Sequence, residues 1–245
     1  MFLVTGGTHG IGRACVEKLV GEGRSVLFTG RDRDAGAELS AALPGSTFVA
    51  GDVSREEDCR AIVARALELG GGALKGLVNN AGTSRRVTFA QASIEDWDTV
   101  LDVNARSTFL FTRYALDGLV AARGSVVNIA SVAGMRGEEG LAIYCASKAA
   151  VIAMTQALAL EYGEFVRFNA VCPGQIDTRM MERITGDPDL RRPLEMRIPA
   201  ARFGQPAEIA DVVSWLLSDA SSYVNGVVIP VDGGETAGLR TPRQV

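Results

Sequence analysis

The run Phe2-Leu3-Val4-Thr5-Gly6-Gly7-Thr8-His9-Gly10-Ile11-Gly12 limits the fold of this chain more than any other stretch. Phe2 to Thr5 has the character of a short buried strand, and from Ile11 onward the apolar residues Ile11, Ala14, Cys15 and Leu19 recur on one helical face. A strand, a glycine turn and a helix in that order build a phosphate site. The glycines let the backbone approach a pyrophosphate, whose charge is held by free N–H groups and the positive end of the helix dipole. Gly6, Thr8, His9 and Ile11 are therefore candidate dinucleotide contacts; the alternative is a glycine-rich turn without a ligand.

The strand and helix patterns continue to alternate. Residues 25–29 form a second strand ending at Gly30-Arg31-Asp32, where an acidic side chain would grip the ribose of NAD and an arginine would accommodate the 2′-phosphate of NADP. Gly30-Arg31 favours NADP(H). Asp32 points toward NAD(H) as the alternative, and both side chains also suit a solvated turn. A helix over 33–43 and a strand over 47–50 lead to Asp52-Val53, with Asp52 either accepting from the adenine amino group or capping the helix after Ser54. Beyond a helix ending at Leu69 and the flexible Gly70-Gly71-Gly72, a fourth strand delivers Asn79-Asn80-Ala81-Gly82, whose small residues let a ribose lie against backbone.

Chemistry is concentrated at Tyr144-Cys145-Ala146-Ser147-Lys148. A phenol and an ammonium four residues apart lie one helical turn apart on one face, and the positive charge would lower the phenol's pKa. Upstream, Ser131 follows the strand-like run 124–130, so its hydroxyl belongs at a strand's carboxyl end, the ligand-binding edge of open α/β sheets. Arg85 and Arg86 are read at the pocket rim, either contacting an anionic substrate group or solvated. Two helices are expected over 94–104 and 105–122, with Asn104 at their junction; asparagine is a poor helix former, so its position hints at a side-chain or water contact.

Composition excludes several other classes. The 245 residues are 47% apolar with a formal net charge of −4, and no basic run or aromatic-basic interleaving is present, which argues against nucleic acid as a partner. Apolar runs are short and no leader pattern precedes Phe2, so no membrane association and a cytoplasmic protein are expected. Cys15, Cys59, Cys145 and Cys172 are scattered and His9 is the only histidine, so neither a metal site nor a disulfide framework is expected.

In order and spacing, Thr5-Gly6-x-x-x-Gly10-x-Gly12, Asp52-Val53, Asn79-Asn80-Ala81-Gly82, Asn104, Ser131, Tyr144-x-x-x-Lys148, Pro173-Gly174, 202–210 and 225–234 resemble the short-chain dehydrogenase/reductase family over nearly the whole chain. Departures are small: Lys75 stands where such sequences usually carry Asp, Cys145 where Ser or Ala is common, and the tail runs past Gly234. The resemblance implies one Rossmann domain over 1–245, a doubly wound α/β fold with a seven-stranded parallel sheet in the order 3-2-1-4-5-6-7. It also implies an Asn104-Ser131-Tyr144-Lys148 catalytic set, with Asn104 steadying a water behind Lys148. Cofactor contacts would come from Gly6, Thr8, His9, Ile11, Arg31, Asp52, Val53, Asn80, Ala81, Gly82, Tyr144, Lys148, Pro173 and Gly174. The Ile176 backbone and Thr178 hydroxyl would hold the nicotinamide carboxamide, and His9 occupies a position where related NADP enzymes often carry Arg or Lys.

The expected activity is NADPH-dependent reduction of a ketone, or oxidation of a secondary alcohol. Tyr144 would protonate the oxygen, Ser131 polarise it, and Lys148 tune the tyrosine and hold the ribose. Met135, Leu141, Ile143, Met180, Met181 and Met196 suggest an apolar pocket for a hydrophobic or cyclic small-molecule substrate, although Glu138 and Glu139 share its loop. The proline-interrupted stretch 179–201 reads as a substrate lid, with a surface hairpin as the alternative. Helices over 105–122 and 144–160 are apolar on more than one side, which together with the resemblance suggests a homotetramer. Two other readings stand beside this one: an NAD-dependent dehydrogenase of a sugar or cyclic alcohol, and a non-catalytic dinucleotide-sensing protein.

Overall fold

The computed structural model describes residues 1–238, without the side chains of Met180 and Arg183; the tail beyond Gly238 lies outside the described residues. Its strands are β1 (Phe2–Thr5), β2 (Val26–Gly30), β3 (Ser46–Ala50), β4 (Gly76–Asn79), β5 (Ser125–Ile129), β6 (Arg167–Pro173) and β7 (Val228–Val231). They form one sheet in the order β3-β2-β1-β4-β5-β6-β7, every pairing parallel. Parallel neighbours require crossovers. These are α1 (Gly10–Gly21), α2 (Arg33–Ala42), α3 (Glu56–Leu69), α4 (Ile94–Leu101), α5 (Ser107–Ala122), α6 (Val132–Met135), α7 (Ala142–Tyr162), α8 (Glu182–Thr185), α9 (Pro188–Arg197) and α10 (Pro206–Leu216).

Side-chain alternation along the strands fixes which helices cover which face. Leu3, Leu27, Leu77, Val126 and Phe168 meet α3 and α5 through Ile62, Val63, Phe111 and Leu119. Val4, Phe28, Val78, Val127 and Val171 point the other way, onto α1 and α10 through Val16, Leu19, Ile209 and Val213. A one-residue register slip would exchange these two sets.

A row of polar side chains crosses the first apolar face. Asn79 Nδ2 donates to Thr112 Oγ1 of α5 (3.1 Å) and Asn128 Oδ1 (2.8 Å), and Asn128 Nδ2 donates to Thr155 Oγ1 of α7 (2.8 Å). Asn79 and Asn128 are register partners in β4 and β5.

Instead of two helices meeting at residue 104, α4 and α5 run on through a π turn, Asp102–Arg106. The extra residue in that turn points Asn104 inward, where it is 1% exposed. Such bulges re-aim a side chain without ending the helix. Helix α7 is long and apolar enough to cross a membrane by length and composition. Its inner side nevertheless carries Ser147, Lys148 and Thr155 buried in this fold, and Leu160 is 90% exposed on its outer side.

Candidate active site

Because every strand points the same way, the segments following β1, β2, β3, β4, β5 and β6 meet at one sheet edge. The first is the glycine loop. A Cβ on Gly12 would lie 2.1 Å from the Gly6 carbonyl oxygen, so only glycine permits this helix start. His9, the N-cap residue of α1, makes no side-chain cap, and among the described residues no side chain accepts from the first-turn N–H groups. That is the arrangement an anion needs.

Asn80 and Ala81 act on this loop from behind. Their N–H groups donate to Thr5 Oγ1 (2.9 and 3.0 Å), and Asn80 Nδ2 donates to the Thr5 and Gly6 carbonyls (2.9 and 3.1 Å). The Asn80 side chain thus holds the loop in place. Val53 is likewise turned into the core, 8% exposed.

At the end of β2, Gly30 has a packing reason to be glycine. A Cβ there would stand 2.7 Å from the Thr8 methyl, and Thr8 is buried. Asp32 caps α2 by accepting from Ala35 N–H (3.1 Å), and its other oxygen is 2.9 Å from His9 Nε2. The Ala35 N–H, then His9, hold this carboxyl below its ordinary value. Arg31 is exposed and lines a cavity of about 490 Å³ with Asp52, Ser54, Thr99 and Val103. Asp52 does not cap α3. Its Oδ1 accepts from Ser54 N–H and Oγ (3.0 and 2.8 Å), a turn ahead of the helix.

Ser131 ends the β5 segment as the N-cap of α6, accepting from Ala133 N–H at 3.1 Å, and its side chain is near enough to the Tyr144 hydroxyl to favour the phenolate. Lys148 Nζ donates to the Ile129 carbonyl at 2.8 Å and lies 5.9 Å from the centre of the Tyr144 ring. Burial pushes the Lys148 ammonium down to about 8. Burial also pushes the Tyr144 phenol up, against the pull of Ser131, and the Glu138 charge adds to the rise. The expectation that Lys148 brings the phenol below its ordinary value is therefore not met, because desolvation outweighs attraction.

Asn104 is fully engaged with protein. Oδ1 accepts from Thr83 N–H (2.8 Å), and Nδ2 donates to the Thr83 carbonyl (2.9 Å) and Ser147 Oγ (2.9 Å). Ser147 in turn donates to the Tyr144 carbonyl at 2.7 Å. A Cβ on Gly82 would be 3.4 Å from both Asn104 Oδ1 and Lys148 Nζ, so the two side chains flank Gly82. The amide ties the 83 loop to the helix bearing Tyr144 and Lys148.

Neither rim arginine is simply solvated or free for an anion. Arg85 pairs with Asp96, and Arg86 with Glu138 at 2.6 Å and the Glu139 carbonyl at 2.6 Å. Of the expected apolar lining, Leu141 and Ile143 are buried while Met135 and Met196 are exposed; the Met180 side chain lies outside the described residues.

Past β6, Gly174 N–H is held by the Val231 carbonyl (3.1 Å), and Ile176 bridges Gly204 in parallel. The flanking residues carry that bridge, Asp177 N–H to Gly204 O and Gly204 N–H to Gln175 O, so Ile176's own polar groups face away from Gly204. Thr178 packs at Gly10, whose Cβ would be 3.3 Å from the threonine methyl. Segment 179–201 touches both sides of the fold. Arg179 approaches His9 at 3.4 Å, Arg197 pairs with Glu235 at 3.1 Å, and Ala200 N–H donates to the Gly233 carbonyl.

Thr5, Thr83 and Ser147 escaped the sequence reading. For Ser147 a signal was present, a small polar residue between the two site residues of α7. Thr83 makes its contacts through backbone, which no side-chain pattern reveals.

A family model described as enoyl-(acyl carrier protein) reductase matches residues 6–236. A 2,5-dichloro-2,5-cyclohexadiene-1,4-diol dehydrogenase of Sphingobium indicum is 39% identical, with 96% of each chain covered. The chain belongs to the short-chain dehydrogenase/reductase family. As a member of that family it is similar also to the 3-oxoacyl-[acyl-carrier-protein] reductase FabG of Thermotoga maritima, 38% identical over 95% of this chain and 96% of that one. Among solved structures, the Pseudomonas aeruginosa RhlG/NADP active-site complex superimposes with a TM-score of 0.90 at 33% identity, covering 96% of this chain and 95% of the other. This short-chain dehydrogenase/reductase is accordingly an NAD(P)-dependent oxidoreductase acting on CH–OH and C=O groups.

Proposed function

We propose that the protein interconverts a ketone and a secondary alcohol using NADP(H), on a hydrophobic or cyclic small molecule. The observation that carries this reading is buried Lys148 beside the Tyr144 ring, with Ser131 at the end of β5, at the same sheet edge as the glycine loop. The cleft suits a dinucleotide: the glycine loop has uncapped N–H groups, and Gly82 leaves room beside Lys148 for a ribose. Gly6, Thr8, Ile11, Arg31, Asp52, Gly82, Lys148, Ile176 and Thr178 would hold it.

The bound cofactor supplies or receives the hydride. In the reducing direction, the Ser131 and Tyr144 hydroxyls hold the carbonyl oxygen, and the Tyr144 proton passes to it as the alcohol forms. An upward-shifted phenol is protonated at neutral pH, ready as an acid. The phenolate left behind is stabilised by Lys148, charged below about pH 8, and is reprotonated from solvent. Asn104 and Ser147 position Tyr144 through its backbone carbonyl.

NADP is favoured over NAD by Arg31, by the absence of room for a carboxylate at Gly30, and by the engagement of both Asp32 oxygens. The similar RhlG structure, an NADP complex, supports this reading. NAD remains the second reading because Asp32 faces His9 in the loop, where it would become a ribose acceptor on release. We further propose that residues 179–201 form a lid on a single catalytic domain. Four free thiols and an acidic composition suit a reducing cytoplasm. The exposed apolar side chains Phe109 and Leu160 on α5 and α7 favour assembly as a homotetramer, which sedimentation at micromolar concentration would check; a monomer would refute it.

Tyr144→Phe tests the chemistry. Turnover of NADPH against a ketone panel should fall at least about 10²-fold, while cofactor affinity stays within a few-fold. Near-normal turnover would remove Tyr144 as the acid.

A further inference from the structure

The glycine loop that faces the cofactor's pyrophosphate contains no cationic side chain between Gly6 and Gly12 other than His9. Arg13, the next cation, is turned to Glu17 at 2.8 Å. Backbone N–H groups and the dipole of α1 are then what this side of the cleft offers to a dianion. The opposite side offers Arg179. Its guanidinium reaches across from the end of the β6 segment to within 3.4 Å of His9 Nε2, a contact spanning 170 residues of sequence.

That contact is not a stable hydrogen bond. Nε2 is also 2.9 Å from the Asp32 carboxylate, so its hydrogen points to Asp32 and no lone pair remains for Arg179. Asp32 feels the Arg179 charge, yet no carboxylate lies within ion-pair distance of Arg179 among the described residues. The guanidinium is exposed and held near the loop by a carboxylate it does not touch. Its neighbour Thr178 meanwhile packs on Gly10, fixing the backbone at the mouth of the helix α1 terminus.

We propose that Arg179 is a cofactor-binding residue whose guanidinium takes the pyrophosphate from the side opposite the glycine loop, drawing residues 179–197 across the cleft. The proposal rests on the dinucleotide reading above and adds a cation to it from the segment read as the lid. A planar fork matches phosphate oxygens bidentately, and phosphate is a stronger partner than a shared imidazole. The His9–Asp32 pair would remain as the seat of the ribose end. Phosphate binding and lid position become one event, since the residue that grips the anion is the first of the segment that closes.

The test uses the full chain and three probes: NADPH, NADH and ADP-ribose, which has the pyrophosphate but neither nicotinamide nor 2′-phosphate. Dissociation constants by calorimetry for Arg179→Ala should rise roughly tenfold for all three, with Arg179→Lys in between. Amide exchange over 179–197 should slow when wild type is saturated with ADP-ribose and not when Arg179→Ala is, although the apo variant melts at the wild-type temperature. A loss confined to NADPH would move Arg179 to the 2′-phosphate and overturn the proposal, as would unchanged affinities or equal protection in both proteins. Wild-type protein that binds none of the three would sink the dinucleotide reading itself, and this role with it.

Discussion

Lys148 should make the stability of this protein rise with pH over a range where most proteins lose it. Its folded pKa of about 8 stands below the ordinary 10.5, because the ammonium is 4% exposed and donates to a neutral carbonyl, that of Ile129, with no carboxylate within ion-pair distance among the described residues. Between those two values the unfolded chain holds a proton that the folded chain has released, so unfolding free energy increases with pH. The full shift corresponds to about 3 kcal/mol, with somewhat under half recovered by pH 9 and about three quarters by pH 10. Cys15, Cys59 and Cys172, pushed up to about 12, 12 and 11 by burial, act in the opposite sense above pH 9, since the unfolded thiols ionise first. Subtracting a Lys148→Met variant cancels them. Urea unfolding of both proteins at pH 7, 8, 9 and 10 should show wild type gaining on the variant by roughly 2–3 kcal/mol from pH 7 to pH 10, most of it above pH 8. A difference that stays constant within about 0.5 kcal/mol would refute the claim that this ammonium is buried at a cost to the fold.

Arg31→Ala should raise the KM for NADPH roughly tenfold and leave NADH nearly unchanged in steady-state assays; equal effects on both cofactors would argue against a 2′-phosphate contact. Asn104→Ala removes both backbone bonds of Thr83 to the amide and the donor to Ser147 Oγ, so chemical denaturation should show a loss of about 2–3 kcal/mol, with turnover falling as α7 loses its tie to the 83 loop. Retained stability would mean that water replaces the amide.

The strands were legible because each is bounded by a local signal and most are continuous apolar runs, as expected when both sheet faces are covered. The site's position followed from connectivity: once the strands are parallel, residues after each must meet. Charge partners were not legible. Nothing in the spacing of Arg85, Arg86, Asp96 and Glu138 shows that they neutralise one another, because those pairs are made between loops brought together only by the fold. The junction at Asn104 was read as a helix boundary, since a π turn has no compositional signature and asparagine suits a helix end equally well. The direction of the Tyr144 shift was misread for a similar reason. Sequence shows the neighbouring lysine but not how much water the phenol loses.

The amide row Thr112–Asn79–Asn128–Thr155 bears on how far the site extends. Thr112 lies eight residues beyond Asn104 and Thr155 seven beyond Lys148, which puts the row roughly 10–12 Å along the helices from the reacting groups at 1.5 Å per residue. Apolar packing tolerates a helix sliding by a fraction of an ångström, whereas a chain of directional bonds inside a low-dielectric layer does not. The row therefore works as a gauge block: it sets the axial offset between the helix that follows Asn104 and the helix that carries Tyr144 and Lys148. A conservative exchange such as Thr155→Val would leave every group in the cleft chemically intact and still change how well they line up. Variants that lose turnover without touching any ligand are to be sought there, on the far side of the sheet edge.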